Sequence, residues 1–276
     1  MRPFRQVDVF SAEPLLGNPV AVVHEADGLS DAQLAAFARW TNLSETTFLL
    51  APTAPEADYR LRIFTPGGEL PFAGHPTLGS AHSWLEAGGA PQGERIVQEC
   101  GVGLVELRGD EAGLAFAAPA LRRSGPVEEA LRGRIASALR IPVGDVVDAA
   151  WCDNGPGWIG VRLGSAEQVL ALEPDFVAMG ELKLGVVGPY ADGAGDPAVE
   201  VRAFVPALGI REDPVTGSLN AALGQWLAGT VLPSSYVASQ GTVLQRRGRV
   251  TVRRDGDTVW VGGRTLTTIS GTVDLG

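Results

Sequence analysis

Lysine is almost missing from this chain. Lys183 is the only one, and the other basic residues are arginines. They come as short, scattered pairs: Arg122–Arg123, Arg246–Arg247 and Arg253–Arg254. Against 22 basic residues stand 32 acidic ones, for a formal net charge of −10. No basic cluster could offset a phosphate backbone, so a nucleic-acid groove is excluded as an expectation. Cysteine is scarce too. Cys100 and Cys152 make neither a disulfide framework nor a zinc pattern, and a reduced cytoplasm is the default. The three histidines have no metal-ligand spacing, so no metal site is predicted. The opening "MRPFRQVDVF" lacks an apolar leader, and no apolar run reaches the roughly 18 residues that a span needs. Neither a signal peptide nor a membrane helix is expected. What is present is a 276-residue chain with 45% hydrophobic and 20% charged residues, enough for one large core or two ordinary ones.

A repeat organises it. "RIFTP" at 62–66 returns as "RAFVP" at 202–206, and 202 − 62 = 140. At the same offset "ECG" (99–101) faces "SQG" (239–241), Asp8 faces Asp148, and Gly17 faces Gly157. One offset from near the start to near the end predicts two similar halves, 1–120 and 121–276, joined around "PALRRSGP" (119–126). Residues 8–118 and 148–275 should then superpose. Each half reads as strands, one helix, then more strands. The helices are expected near 77–87 and 217–228, ended by Gly88–Gly89 and Gly229. Both are apolar nearly all round and rich in small residues, which predicts burial on most sides. The fold class is α+β: two pseudo-symmetric units, each a sheet around a central helix.

Chemistry collects where these helices start. "AGHPT" (73–77) and "EDPVTGS" (212–218) combine an early proline with small hydroxyl residues, as first turns favour. Such starts present free N–H groups to anions, and a small carboxylate-bearing substrate is the natural guest. Two ordinary capped helices fit the spacing equally well. His75 sits at the first start as a hydrogen-bond or proton partner. His82 reads as core, and His24, in the turn "HEADG", as surface.

Glu45 opens the strand "ETTFLL", in the window "NLSETTFLL" (42–50), after a helix over 31–41. Ser44 and Glu45 either turn the chain or place a proton-transfer group in a poorly solvated pocket, with Trp40 and Phe48 as desolvating neighbours that would raise the carboxyl pKa. At offset 140 Glu45 faces Gly185, so the second half has no matching acid. One base moves a proton within one face of a substrate, which describes an isomerase and not a racemase. A cysteine-type racemase would need two thiols at the helix starts. Cys100 follows "RIVQ" in a strand setting, and its offset partner is Gln240. That enzyme and a non-catalytic small-ligand-binding protein are the alternatives.

The stretches "VDVFSAEPLLGNPVAVV", "NLSETTFLL", "RIFTPGGELPFAGHPTLGSAH", "EDPVTGSLNAALGQWL" and "SQG" run in order across nearly the whole chain. Through them the chain resembles the PhzF-like isomerases of phenazine biosynthesis, within the diaminopimelate-epimerase-like fold superfamily. The resemblance implies an active site in an interdomain cleft, usually a homodimer, and isomerisation of a small cyclic dihydro-hydroxy acid without metal or organic cofactor. It implies Glu45 as general acid/base, with His75, Asp213 and Ser218 holding the substrate and its proton. Asn18, Ser44, Gly74, Thr77, Thr216, Gly217, Gln240 and Gly241 are the accompanying substrate-binding positions. After "SQG" the chain departs from the family's Gly-Arg-Pro-like segment and reads "TVLQRRGRV", with Arg246 as the candidate equivalent.

Overall fold

The computed structural model describes residues 1–110, 112–191 and 196–276. The chain divides into two compact units, residues 1–117 with 262–276, and residues 118–261.

The first unit opens with β1 (Arg2–Val9), β2 (Asn18–Val23), α1 (Asp31–Thr41) and β3 (Glu45–Leu50). It continues with β4 (Tyr59–Thr65), β5 (Gly68–Leu70), α2 (Gly74–Glu86), β6 (Ile96–Cys100), β7 (Gly103–Asp110) and β8 (Gly113–Ala117). β1 pairs antiparallel with β2, β2 parallel with β3, and β3 antiparallel with β4. β4 takes β5 antiparallel and β6 parallel, and β7 and β8 continue antiparallel.

The second unit carries β9 (Arg123–Pro126), α3 (Glu129–Leu139), β10 (Asp148–Asp153), β11 (Trp158–Arg162), α4 (Ala166–Leu170) and α5 (Phe176–Met179). Then come β12 (Lys183–Pro189), β13 (Val199–Val205), β14 (Ile210–Asp213), α6 (Gly217–Leu227), β15 (Ser235–Gln240), β16 (Gly248–Asp255) and β17 (Thr258–Gly263). Its pairings repeat those of the first unit. β10 is antiparallel to β11, β11 parallel to β12, and β12 antiparallel to β13. β13 takes β14 antiparallel and β15 parallel, and β16 follows antiparallel. The offset survives in the strands: β11 starts 158 − 18 = 140 residues after β2, and β13 starts 199 − 59 = 140 after β4.

The repeated arginine has the same partner in both units. Arg62 on β4 forks onto Glu69 of β5, with both contacts 2.7 Å. Arg202 on β13 forks onto Glu212 of β14 at 2.9 and 2.7 Å. Each guanidinium also lies over the phenylalanine two residues on, Phe64 or Phe204. The second pair is buried, so the Arg202 head takes up further carbonyls at Val169 and Leu172, as a buried charge must.

The central helices are buried as their composition requires. α2 packs on β1, β2, β3, β8 and on β18 (Thr265–Val273), and is buried from Gly74 through Ala81. A Cβ on Gly79 would stand 2.4 Å from Val20 Cγ1, so only glycine lets the helix approach β2 this closely. α6 packs on β10, β11 and β16. The outer faces differ. α1, started by a Ser30–Gln33 capping box, lays Leu34 and Phe37 on Phe48 and Phe64. In the second unit α3, α4 and α5 cover the sheet, and all seven residues of β13 are buried.

Four expectations need correction. The last strand, β18, does not extend the second copy; it pairs antiparallel with β1 and belongs to the first unit. Part of the expected joint, Arg123–Pro126, is a strand paired with β10. α2 starts at Gly74 rather than near 77, because Pro76 falls in the first turn, where its missing N–H costs nothing. His24 is buried rather than surface, with Nε2 2.6 Å from Ser83 Oγ.

Candidate active site

In the first unit β3 and α2 place the two titratable groups side by side. α1 ends on Asn42 in the left-handed conformation, the chain bends at Ser44, and Glu45 enters β3 opposite Val20. Alternation along β3 puts Glu45 and Thr47 on the face toward α2, where Ser80 Oγ donates to Thr47 Oγ1 at 2.8 Å. Phe48 points the other way, into the cluster with Leu34 and Phe37. Trp40 is 81% exposed and stacks on Phe37. Neither aromatic therefore desolvates Glu45; the α2 start does.

His75, the second residue of α2, is 4% exposed. Its Nε2 lies 3.4 Å from Glu45 Oε2, and the Glu45 side chain is 15% exposed. Burial pushes the His75 pKa down to about 3, and a hydrogen bond to the backbone of Pro19 only partly opposes it. The ring is thus neutral at ordinary pH, and the contact is a carboxyl beside an imidazole, not an ion pair. Asn18 Nδ2 stands 3.4 Å from His75 Nδ1. Asp8 fixes the turn that delivers Asn18, its Oδ2 accepting from Leu16 N and Gly17 N at 3.0 and 3.2 Å.

Two of the expected substrate contacts are buried and engaged within the fold. Thr77 accepts from Gln98 Nε2 at 3.1 Å, and Asn18, fully buried, faces His75. Ser44 and Glu45 keep access to solvent.

In the second unit Asp213 ends β14 rather than starting a helix. Thr216 N, a definite donor, points to Gln240 Oε1 at 3.0 Å, which fixes the amide's orientation. The same oxygen accepts from Asn220 Nδ2 at 2.9 Å. Gln240 Nε2 then donates to Thr216 Oγ1 (2.9 Å) and to Asp213 O (3.2 Å). Because Thr216 Oγ1 accepts there, its own hydrogen goes to Asp213 Oδ2, 2.5 Å away. All four hydrogen-bonding positions of the Gln240 amide are used, which corrects its assignment as a substrate contact. It braces the α6 start from behind. Gly241 has a similar part: its φ is 93°, and a Cβ would stand 2.7 Å from Pro214 O. Gly217 and Thr216 are buried, whereas Asp213, Ser218 and Arg246 retain access to solvent. Glu212 belongs to the ion pair with Arg202.

The strand registers also settle what stands opposite Glu45 in the repeat. Val20 pairs with Glu45 and Gly160 with Gly185, and both 160 − 20 and 185 − 45 equal 140. A Cβ on Gly185 would stand 2.0 Å from Leu219 Cδ1, so α6 fills the space that a second acid would need. The thiols are elsewhere. Cys100 ends β6 and Cys152 lies inside β10. Burial raises the pKa of both, that of Cys152 to about 12. The described residues contain no group of three or more His, Cys, Asp or Glu placed to hold a metal ion. No helix among them is long and apolar enough to cross a membrane.

The sequence reading missed Trp158, whose Nε1 donates to Ser218 Oγ at 3.1 Å, and Asn154, whose Nδ2 donates to Ser218 O at 2.8 Å. The signal for Trp158 was present: it lies 140 residues after Asn18.

Comparison with known proteins agrees with this architecture. The family model described as phenazine biosynthesis-like protein matches residues 7–271. "Antisense-enhancing sequence 1" of Schizosaccharomyces pombe is 39% identical, with 97% of each chain covered. The trans-2,3-dihydro-3-hydroxyanthranilate isomerase of Pseudomonas aeruginosa is 36% identical over 83% of this chain and 80% of its own. A crystal structure of a PhzF-family phenazine biosynthesis protein from Enterococcus faecalis has a TM-score of 0.81 at 26% identity, with 98% of both chains covered. This chain therefore belongs to the phenazine biosynthesis-like (PhzF) family and is an isomerase of that family.

Proposed function

We propose that the protein isomerises a small, cyclic, carboxylate-bearing dihydro-hydroxy acid by moving a proton between two carbons on one face of the ring. Glu45 takes the proton from a saturated carbon as the adjacent double bond shifts. It then returns the proton to the carbon at the far end of the shifted π system. The substrate's atoms and charge are unchanged overall, and no bond other than C–H and C=C is remade. His75, neutral and held by α2, positions the carboxyl and shields it from water. In the second unit, Asp213 and Ser218 are the proposed polar contacts, on the family resemblance and on their access to solvent. The observation that carries this reading is the single acid: Glu45 stands 3.4 Å from the neutral His75 imidazole, and glycine occupies the matching place in the repeat.

Relatives named trans-2,3-dihydro-3-hydroxyanthranilate isomerase make that acid the first compound to test. Incubated with the protein, it should lose its starting C–H and gain one at a second carbon, as followed by proton NMR. Unchanged compound, with a panel of related cyclic acids equally inert, would count against the substrate class. Inversion at one carbon without a double-bond shift would point to the racemase instead. The homodimer implied by the family resemblance and the cytoplasmic location expected from the cysteine pattern belong to the same proposal, and sedimentation of the purified protein tests the dimer.

A further inference from the structure

Thr216 stands at the N-cap of α6, yet it does not cap. Its backbone is extended, with φ −115° and ψ 101°, as a cap requires, but its hydroxyl accepts nothing from the first N–H groups of the helix. The side chains that start α1, α4 and α5 do accept there: Ser30 from Gln33 N, Ser165 from Gln168 N, and Asp175 from Val177 N and Ala178 N. A threonine in this place ordinarily satisfies one of the open donors of its helix. In α6 that use is given up.

The hydroxyl is engaged by two other groups. One lone pair takes Gln240 Nε2 at 2.9 Å, and Asp213 Oδ2 lies 2.5 Å away. An ionised carboxyl only accepts, so the hydrogen between Thr216 and Asp213 is the hydroxyl's, and the length is that of a charge-assisted bond. The amide behind it cannot turn over, because Thr216 N and Asn220 Nδ2 both donate to Gln240 Oε1. Gln240 Nε2 also donates to Asp213 O. Asp213 is thus tied to one amide twice, by its carbonyl directly and by its carboxyl through Thr216. The first unit has the amide without the relay. Gln98 Nε2 donates to Thr77 Oγ1 at 3.1 Å, but among the described residues no carboxylate accepts from Thr77.

We propose that Thr216 is a positioning residue for Asp213. Its hydroxyl, diverted from the cap, holds the Asp213 carboxylate in one orientation toward the substrate, and Gln240 holds Thr216 in turn. The inference rests on the reading of Asp213 as a substrate contact. Thr216 then acts from behind that contact, which replaces its expected part as a binding residue. A carboxylate released to rotate binds less well whatever the stage of the reaction, so the loss should fall on binding and not on the proton transfer at Glu45.

The test compares Thr216→Val, which keeps the shape and removes the hydroxyl, with Thr216→Ser, which keeps the hydroxyl. Asp213→Ala is measured beside them. With trans-2,3-dihydro-3-hydroxyanthranilate, Thr216→Val should raise KM about tenfold and leave kcat within about threefold, as expected when uniform binding is lost. The Kd of 2-amino-3-hydroxybenzoate, a stable aromatic counterpart of that acid, should rise by a similar factor. Thr216→Ser should stay within about threefold of wild type in both. On the Asp213→Ala background, Thr216→Val should change Kd by no more than about twofold, because both act through one contact. If Asp213→Ala binds and turns over as wild type does, both readings fall. If Asp213→Ala is impaired and Thr216→Val is not, or if the two losses multiply, the role of Thr216 is overturned and Asp213 remains a substrate contact. A Thr216→Ser protein as poor as Thr216→Val overturns it too, since the hydroxyl is then not the agent. Should Thr216→Val not fold, the hydroxyl proton of Thr216 decides by NMR. A slowly exchanging resonance that shifts when 2-amino-3-hydroxybenzoate is added to wild type, and is lost in Asp213→Ala, supports the proposal; its absence from wild type overturns it.

Discussion

Glu45 Oε2 lies 3.4 Å from His75 Nε2, and the imidazole there is neutral because burial pushes its pKa down to about 3. A carboxyl next to a charged histidine would be held as the carboxylate. A neutral ring nitrogen can donate a hydrogen bond to a carboxylate or accept one from a carboxylic acid, so the contact fits a group that both takes and returns a proton.

The same burial makes stability depend on pH in a definite direction. His75 and His24 have folded-state pKa values near 3 and 4, both below the unfolded value of 6.5. Between these limits the unfolded chain binds more protons than the folded one, so stability falls as pH drops from about 6.5 toward 4 and is level above. Each unit of depression corresponds to about 1.4 kcal/mol, an order-of-magnitude scale for these buried groups. Urea unfolding at pH 7.5 and 5.5 should show the loss, and His24→Gln should reduce it while leaving the part due to His75. An unchanged midpoint would mean that these rings are not held neutral.

Gln240→Leu should destabilise the fold by at least about 3 kcal/mol. It strips partners from Thr216 N, Asn220 Nδ2 and Asp213 O in a site with little water, where each unmet group costs about 1–3 kcal/mol. Gln240→Glu should destabilise as well, because it puts a second carboxyl beside Asp213 in a buried place and loses both donors. Denaturation midpoints check both variants, and wild-type stability in either would contradict the bracing role.

Cys100→Ala and Cys152→Ala should leave turnover within a few-fold of wild type. Neither thiol lies at a central helix start, and both have raised pKa values, which suppress the thiolate. Cys152→Ala should still lower stability by about 1 kcal/mol, because a fully buried side chain is trimmed. An inactive but folded variant of either would restore a cysteine mechanism.

The repeat was legible because pairing register was kept. Arg62 and Arg202, 140 residues apart, bind the same kind of partner, and the missing second acid at Gly185 could be named from the offset alone. Other features depend on contacts remote in sequence. β18 returns to β1 across the whole chain, and nothing in "TLTTISGTV" says which unit it joins. "HEADG" carries a turn signature, yet His24 is fixed by Ser83, 59 residues away. Trp40 and Phe48 flank Glu45 in sequence, but strand alternation and the end of α1 turn both away from it. Gln240 is expected as a substrate-binding position because it sits in the "SQG" stretch that carries the family resemblance. Only the hydrogen-bond geometry shows that all its positions are used.

The most direct test of the account is turnover in D2O by wild type and Glu45→Gln, with trans-2,3-dihydro-3-hydroxyanthranilate as substrate and carbon-bound deuterium read by NMR. General acid–base groups contribute roughly 10²–10⁴ in rate. Glu45→Gln should therefore isomerise and exchange at least about a hundredfold more slowly, while binding 2-amino-3-hydroxybenzoate nearly as wild type does. A Glu45→Gln protein that turns over and exchanges at the wild-type rate would show that Glu45 only turns the chain into β3, and would contradict the one-base mechanism.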